Sequence, residues 1–298
     1  MKPEFQIIIA ALLLGTIGIL TKLIGSDVHP TVIAFYRVFF AMIMLAILCP
    51  MVDKTTFKPK RKDLGMYALI GLIFAISMSL IIIAYSKAPI QNITLLSSMA
   101  PFFVLIFAYF ILKEKITKTK ILTLIIAIIG LIIISPIKAE GSIWNIIAII
   151  VAAIDGVLIV LMRKEDQNHP IGDVFWFFLF ATIFLLPFPL IFGLGKISIY
   201  VFLIGFVTTG IGYFFYNLGL EKIEAEIGSI IMTVIHPVIN IILAFIIISE
   251  KLNPQVLIGG AILVAAGVYL ETHNKTLKAK GIHKRKWLSK RFLRLKKR

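Results

Sequence analysis

Three ionisable side chains interrupt long apolar runs of the sequence. Arg37 lies in AFYRVFF, Asp155 in VAAIDGVLIV and His236 in TVIHPVIN. An ionisable group inside a run long enough to cross a bilayer is costly, so it is a candidate for binding a charged solute or carrying a proton. The alternatives are structural: Arg37 could extend to the membrane surface, and Asp155 or His236 could hydrogen-bond to a neighbouring helix. The sequence alone leaves both interpretations open.

Other polar side chains recur at three- and four-residue spacing in the same runs, which places them on common helix faces. These stripes and Arg37 supply the candidate substrate-binding residues, which are Arg37, Ser97, Ser98, Tyr213, Asn217, Thr233, His236 and Asn240. Asp155 is the candidate proton-coupling residue. Thr16 and Ser77 are weaker candidates, since Ser and Thr within helices often bond only to their own backbone.

The composition excludes an ordinary soluble domain. The chain has 298 residues, of which 59% are hydrophobic and only 15% charged, against about 25% charged in soluble domains. The single Cys49 rules out a disulfide framework or a cysteine metal site. No P-loop is present, so we expect no ATP-driven transport by this chain and no bound cofactor.

The apolar runs predict an all-α integral membrane protein with ten transmembrane helices, each about the 20 residues that a bilayer core requires. The predicted spans are 5–24, 31–51, 64–86, 92–112, 119–137, 142–162, 172–192, 198–220, 226–248 and 253–271.

The predicted spans form two related halves, residues 1–138 and 139–272. When the fourth and ninth spans are aligned, Pro101 meets Pro237 and Glu114 meets Glu250. Because each half has five spans, the halves must have opposite orientations in the membrane, an arrangement typical of secondary transporters. Proline inside a spanning helix bends or breaks it. The matched prolines are therefore predicted helix kinks, and the side chains beside them should border one cavity.

The basic residues predict the orientation and a membrane-bound tail. Outside the tail, thirteen Lys and Arg fall on the side of the N-terminus and five on the other. Both termini are therefore predicted to be cytoplasmic. Residues 273–298 carry twelve further Lys and Arg, with Leu288, Phe292 and Leu295 at helical spacing. This pattern indicates a basic amphipathic helix on anionic lipid. RNA is the alternative partner of so basic a segment, but no nucleic acid is expected.

Taken together, the ten spans in inverted halves, Arg37 early in the second span and the Pro…Glu-Lys pattern of the fourth and ninth spans resemble the EamA family of the drug/metabolite transporter superfamily. The resemblance covers the chain except for the tail. It implies a secondary transporter of the cell membrane that exports a small organic metabolite, such as an amino acid, by alternating access, as a monomer or homodimer. An intramembrane enzyme and a membrane scaffold or receptor are the alternative classes.

Overall fold

Helices account for all the regular structure in the described part of the chain. A computed structural model describes residues 1–59, 63–113, 118–134, 142–164, 171–220 and 225–269, and no strand occurs among them. This is the expected result for long apolar runs, because a helix satisfies its own backbone hydrogen bonds where lipid offers none. The tail 273–298 and the Glu114-Lys115 pair lie outside the described residues.

Fourteen α-helices and one π-helix follow each other within these residues. They are α1 Pro3–Leu14, α2 Ile17–Ile24, α3 Pro30–Val52, α4 Leu64–Lys87, α5 Ile90–Ser97, α6 Ala100–Leu112, α7 Lys118–Ile134, α8 Ser142–Lys164, α9 Ile171–Leu185, α10 Pro187–Phe192, α11 Ile199–Phe202, the π-helix Leu203–Ile211, α12 Gly212–Leu220, α13 Ala225–Ile248 and α14 Pro254–Tyr269.

Eight helical segments of the described chain are long and apolar enough to cross a membrane. Shorter apolar helices, Ile121–Gly130 and Pro254–Tyr269, lie where the fifth and tenth spans are predicted. Many large apolar side chains on the spanning helices face outward, among them Phe110, Leu190 and Ile246. The prediction of an all-α chain with several membrane-spanning helices is therefore confirmed, with eight segments of spanning length among the described residues.

The matched prolines occupy different helix positions. Pro101 is the second residue of α6, directly after an interruption at Ser98 and Met99 that separates α5 from α6. A proline costs little there, because the first N–H groups of a helix have no partner within the helix. Pro237 lies inside α13, which is continuous over Ala225–Ile248. The interruption therefore occurs in one half only.

The two halves share a second matched feature. Lys113 and Ser249 occupy equivalent registers after α6 and α13, and each has a left-handed backbone, with φ of 55° and 52°. They are the two non-glycine residues with positive φ in the described chain. Each of the two helices is therefore followed directly by a residue with positive φ.

Helices of one half pack mainly against helices of the other. Helix α3 contacts the π-helix and α9, α4 contacts α8 and α9, α1 contacts α12 and α13, and α6 contacts α8. The core of the molecule therefore lies between the halves, and a site in it is built from both.

Candidate functional site

A cavity of about 240 Å³ lies between the two halves. Since a water molecule occupies about 30 Å³ in the liquid, the cavity has room for a small metabolite. Its lining residues come from both halves, and they are Leu14, Ile17, Arg37, Ser77, Met78, Ile81, Tyr85, Ser97, Ser98, Ala100, Pro101, Val151, Asp155, Ile159, Tyr213, Tyr216, Met232, Thr233 and His236.

Arg37 points into the protein and not toward the membrane surface. Its side chain is 3% exposed, and its Nε donates a hydrogen bond to Thr209 Oγ1 at 2.9 Å. Thr209 in turn donates to the carbonyl of Ile204, five residues earlier, at 2.7 Å. This spacing fits the wider turn of the π-helix that carries both residues, and π-turns inside helices are frequent at functional sites.

Gly205 allows the π-helix to reach Arg37. A Cβ added at Gly205 would lie 2.6 Å from Phe40 Cβ and 2.8 Å from the Tyr36 carbonyl oxygen. Both distances are too short for any side chain. Helix α3 and the π-helix therefore approach backbone to backbone, which places the Thr209 hydroxyl against the guanidinium group.

Asp155 lies on α8 and is held from α4. Its Oδ1 accepts a hydrogen bond from Ser77 Oγ at 2.6 Å. The Ser77 hydroxyl thus bonds to another helix, which the sequence did not predict. Thr16 Oγ1 donates to the Leu13 carbonyl of its own segment and also hydrogen-bonds to Thr208 Oγ1 of the π-helix. Arg37 and Asp155 interact electrostatically across the cavity. The two side chains form no direct hydrogen bond to each other.

Ser97 and Ser98 lie at the interruption between α5 and α6. Both hydroxyl groups donate to the Thr94 carbonyl oxygen, at 3.1 and 2.8 Å. Side-chain donors of this kind satisfy backbone acceptors near the end of a helix. The interruption therefore places two hydroxyl groups on the cavity wall.

Thr233 and His236 face the cavity from α13. This helix approaches α1 closely at Gly15, where an added Cβ would lie 3.0 Å from the His236 carbonyl oxygen. The His236 ring lies near the Leu14 backbone and interacts electrostatically with Arg37. Ser98 and His236, from opposite halves, thus line the same cavity.

Two of the candidate substrate-binding residues, and the predicted kink residue Pro237, lie outside the lining. Asn240 is fully buried, and its Nδ2 donates to Tyr85 Oη at 3.0 Å and to Thr94 Oγ1 at 2.8 Å. Asn217 Nδ2 donates to the Tyr213 carbonyl one turn back. The predicted residues that line the cavity are Arg37, Ser97, Ser98, Pro101, Asp155, Tyr213, Thr233 and His236.

Tyr85 is a lining residue that sequence reasoning missed. It follows Ser77 and Ile81 at four-residue spacing on α4, so the three share one helix face. That spacing was a usable signal, but a tyrosine near a span end is also common at membrane interfaces.

No group of three or more His, Cys, Asp or Glu in the described chain is placed to hold a metal ion.

The family model of the EamA-like transporter family matches the chain twice, over residues 1–135 and 142–272. The chain belongs to the EamA-like transporter family. Both matches contribute walls to the cavity, since Arg37 lies in the first and Asp155 in the second. This EamA-like chain is a multi-pass membrane protein of a transporter family.

Named relatives agree with this assignment, and a solved structure has a similar fold. The chain is 29% identical over 251 residues to an uncharacterized transporter of Clostridium kluyveri, covering 77% of this chain and 80% of that protein. It is 25% identical over 257 residues to an S-adenosylmethionine uptake transporter of Rickettsia conorii, covering 85% and 86%. A crystal structure with 15% identity superposes with a TM-score of 0.66 over 93% of this chain and 99% of the other, which supports the fold alone.

Proposed function

We propose that this EamA-like chain is a ten-span secondary transporter with inverted halves 1–138 and 139–272. It carries a small organic metabolite of amino-acid-like polarity through the central cavity by alternating access. The observation that carries the proposal is the position of Arg37 and Asp155 on different helices of one cavity between the halves. If the two halves exchanged their conformations, the cavity would open to the opposite side of the membrane.

The charged groups suit a solute that has both an acidic and a basic group. Within the described chain, Thr209 is the hydrogen-bond partner of Arg37, and only the Nε of the arginine takes part in that bond. The two Nη groups are then available for a carboxylate, which a guanidinium binds through two parallel hydrogen bonds. Only Oδ1 of Asp155 accepts the hydrogen bond from Ser77. The other carboxylate oxygen can accept a hydrogen bond from an ammonium group or bind a proton.

One end of the cavity is closed by a polar layer. Thr94, Tyr85 and Asn240 hydrogen-bond to one another. Tyr85 also lines the cavity, and Thr94 and Asn240 lie one turn beyond the lining residues Ser98 and His236. On this side α5 packs against both α13 and α8, and α6 packs against α8. A cavity closed at one end and bounded by both halves is what an alternating-access carrier requires in one of its states.

We further propose that transport is export across the cell membrane, with both termini cytoplasmic and the tail 273–298 on anionic lipid. The R. conorii relative is named for uptake, so direction needs its own measurement. The protein acts as a monomer or homodimer and needs no cofactor in this proposal.

Counterflow into proteoliposomes tests the proposal. Vesicles that contain the purified protein and an unlabelled amino acid should accumulate the labelled form of that amino acid. The test is repeated for each class of amino acid and for both orientations of the protein in the vesicle membrane. Arg37→Lys should raise KM about tenfold, because lysine has no planar fork of donors. It cannot hydrogen-bond to Thr209 and at the same time bind a carboxylate through two parallel hydrogen bonds. Lys87→Arg, a swap of an exposed cation, is the matched control and should behave as the parent.

The alternative classes give different results in the same vesicles. An intramembrane enzyme would change the mass of the added compound, and a receptor or scaffold would bind it without accumulation. Accumulation of the unchanged compound that is insensitive to Arg37→Lys would overturn the assignment of the binding site but not that of a transporter.

A further inference from the structure

Hydrogen bonds join the ends of α5 and α13, which belong to different halves. After α13 ends, Ser249 adopts its left-handed conformation and the Glu250 N–H donates to the Ala244 carbonyl at 3.2 Å. The chain thereby turns back over the helix end. The Glu250 carboxylate then accepts from the backbone N–H of Ile90 at 2.9 Å and of Gln91 at 3.1 Å.

Gln91 makes a second pair of bonds across the same boundary. Its Nε2 donates to the Lys251 carbonyl oxygen at 2.7 Å, and its Oε1 accepts from the Asn253 N–H at 3.1 Å. The side chain is only 4% exposed. The half-buried Lys22 interacts electrostatically with Glu250 and lies 3.5 Å from the Ser86 carbonyl oxygen. We name Gln91, Glu250, Lys251 and Asn253 the Glu250 latch.

The first turn of α5 depends on the other half for its hydrogen bonds. The residue before it is Pro89, and no side chain of its own segment caps the helix. The first N–H groups of a helix have no partner within the helix, and a carboxylate at this end gains from charge-assisted hydrogen bonds and from the helix dipole. Here Glu250 supplies that carboxylate, so these bonds exist only while the two helix ends are together.

The latch is the outermost of three layers. Ser98 and His236 line the cavity, Thr94 and Asn240 hydrogen-bond one turn further out, and Glu250 closes the end. Along α5 the distance from Ser97 to Ile90 is about 10 Å at the rise of an α-helix. The latch therefore lies between the cavity and this face of the molecule, where the ends of α5 and α13 meet.

We propose that the Glu250 latch is the outer gate of the transporter. It holds the cavity closed to the outer face by capping a helix of one half with a carboxylate of the other, and it opens when the cavity is exposed to that face. The proposal rests on the transport function proposed above. By sequence register Glu114 is the counterpart of Glu250 in the first half, but it lies outside the described residues and carries no part of the argument.

Thiol accessibility of the cavity tests the gate without any substrate. The parent carries Cys49→Ala and Ser98→Cys, and a membrane-impermeant thiol reagent is applied to each face of sealed vesicles. The outer face is defined as the one from which Ser26→Cys reacts. Glu250→Gln should increase the rate of labelling from the outer face at least about tenfold, because a neutral amide replaces the charge-assisted acceptor of two N–H groups.

Two further variants decide the outcome. Gln91→Ala removes the second pair of bonds and should raise outer labelling as well, so it tests the gate even if Glu250→Gln does not fold. Asp27→Asn neutralises an exposed carboxylate on the same face and should leave the rate unchanged. Unchanged outer labelling in folded Gln91→Ala and Glu250→Gln, or an equal increase in Asp27→Asn, overturns the gate. Failure of transport with the expected labelling overturns the proposed function and leaves the gate supported.

Discussion

At the scale of the residue, the two charges that interrupt the apolar runs are held by hydroxyl groups and not by each other. Arg37 has Thr209 and Asp155 has Ser77 as hydrogen-bond partner, each from a different helix. A charge within a spanning segment is costly unless it is paired or faces a polar cavity. Neither charge neutralises the other by direct contact, so in the proposed transporter both can bind a charged solute.

We expect Asp155→Asn to abolish the pH dependence of transport without impairing folding. Asparagine keeps an oxygen that can accept from Ser77 Oγ, but it cannot bind or release a proton. The variant should be expressed and melt close to the parent, while the pH dependence of its initial transport rate in proteoliposomes becomes flat. Ser77→Ala is the control, since it removes the hydrogen bond but leaves a titrating carboxylate and therefore a pH-dependent rate. A parental pH profile in Asp155→Asn would refute the coupling role.

At the scale of the element, departures from regular α-helix bring polar groups to the cavity. The interruption between α5 and α6 places the Ser97 and Ser98 hydroxyl groups there, and the π-helix Leu203–Ile211 aims Thr209 at Arg37. The π-helix can do so only because Gly205 lets it approach α3 closely. Close approach at a small residue is a common device of helix packing in membranes.

The substitution Gly205→Ala should therefore damage both stability and binding. The added methyl group would meet backbone and Cβ atoms of α3, and overpacking of this kind typically costs about 1–3 kcal/mol. The π-helix should shift away from α3, which weakens the Arg37–Thr209 bond. Thermal unfolding in detergent should show a lower Tm, and counterflow should show a higher KM.

The matched control for this substitution is Gly65→Ala on α4. A Cβ added at Gly65 meets no atom within 4 Å, and alanine is favoured over glycine in a helix by about 1 kcal/mol. Its Tm should equal or exceed that of the parent. If both variants behave alike, the close approach at Gly205 does not position the arginine.

At the scale of the whole molecule, the two halves are in contact at both ends. On one face the Glu250 latch joins α13 to α5. On the opposite face Trp176 Nε1 donates to the Thr56 carbonyl oxygen at 2.8 Å, and Thr56 follows α3 of the first half. Both contacts join the first half to the second, and the central cavity is also lined by residues of both halves.

The predicted orientation in the membrane can be measured directly. In a Cys49→Ala background, Ser26→Cys and Thr55→Cys lie in exposed loops at opposite ends of α3. An impermeant thiol reagent added to intact cells should label the first and not the second, and lysed cells should show both labelled. Labelling of both positions from outside would contradict the orientation inferred from the basic residues.

Much of the architecture follows from local features of the sequence. Apolar runs of spanning length predict helices, because only internally hydrogen-bonded segments are stable in lipid. The matched registers of Pro101 and Pro237 and of Glu114 and Glu250 indicate the repeat without any coordinates. Arg37, Asp155 and His236 stand out for the same local reason, since each is an ionisable residue among apolar neighbours.

Only the tertiary structure decides which polar face meets the cavity. Asn240 lies one turn from His236, yet it packs against Tyr85 and Thr94 while His236 lines the cavity. Spacing relates residues of one helix to each other, but the rotation of that helix is set by contacts with distant segments, such as Gly15 against α13. For the same reason Glu250, which in the sequence resembles an ordinary charge at the end of a span, acquires its role from two backbone N–H groups 159 and 160 residues away.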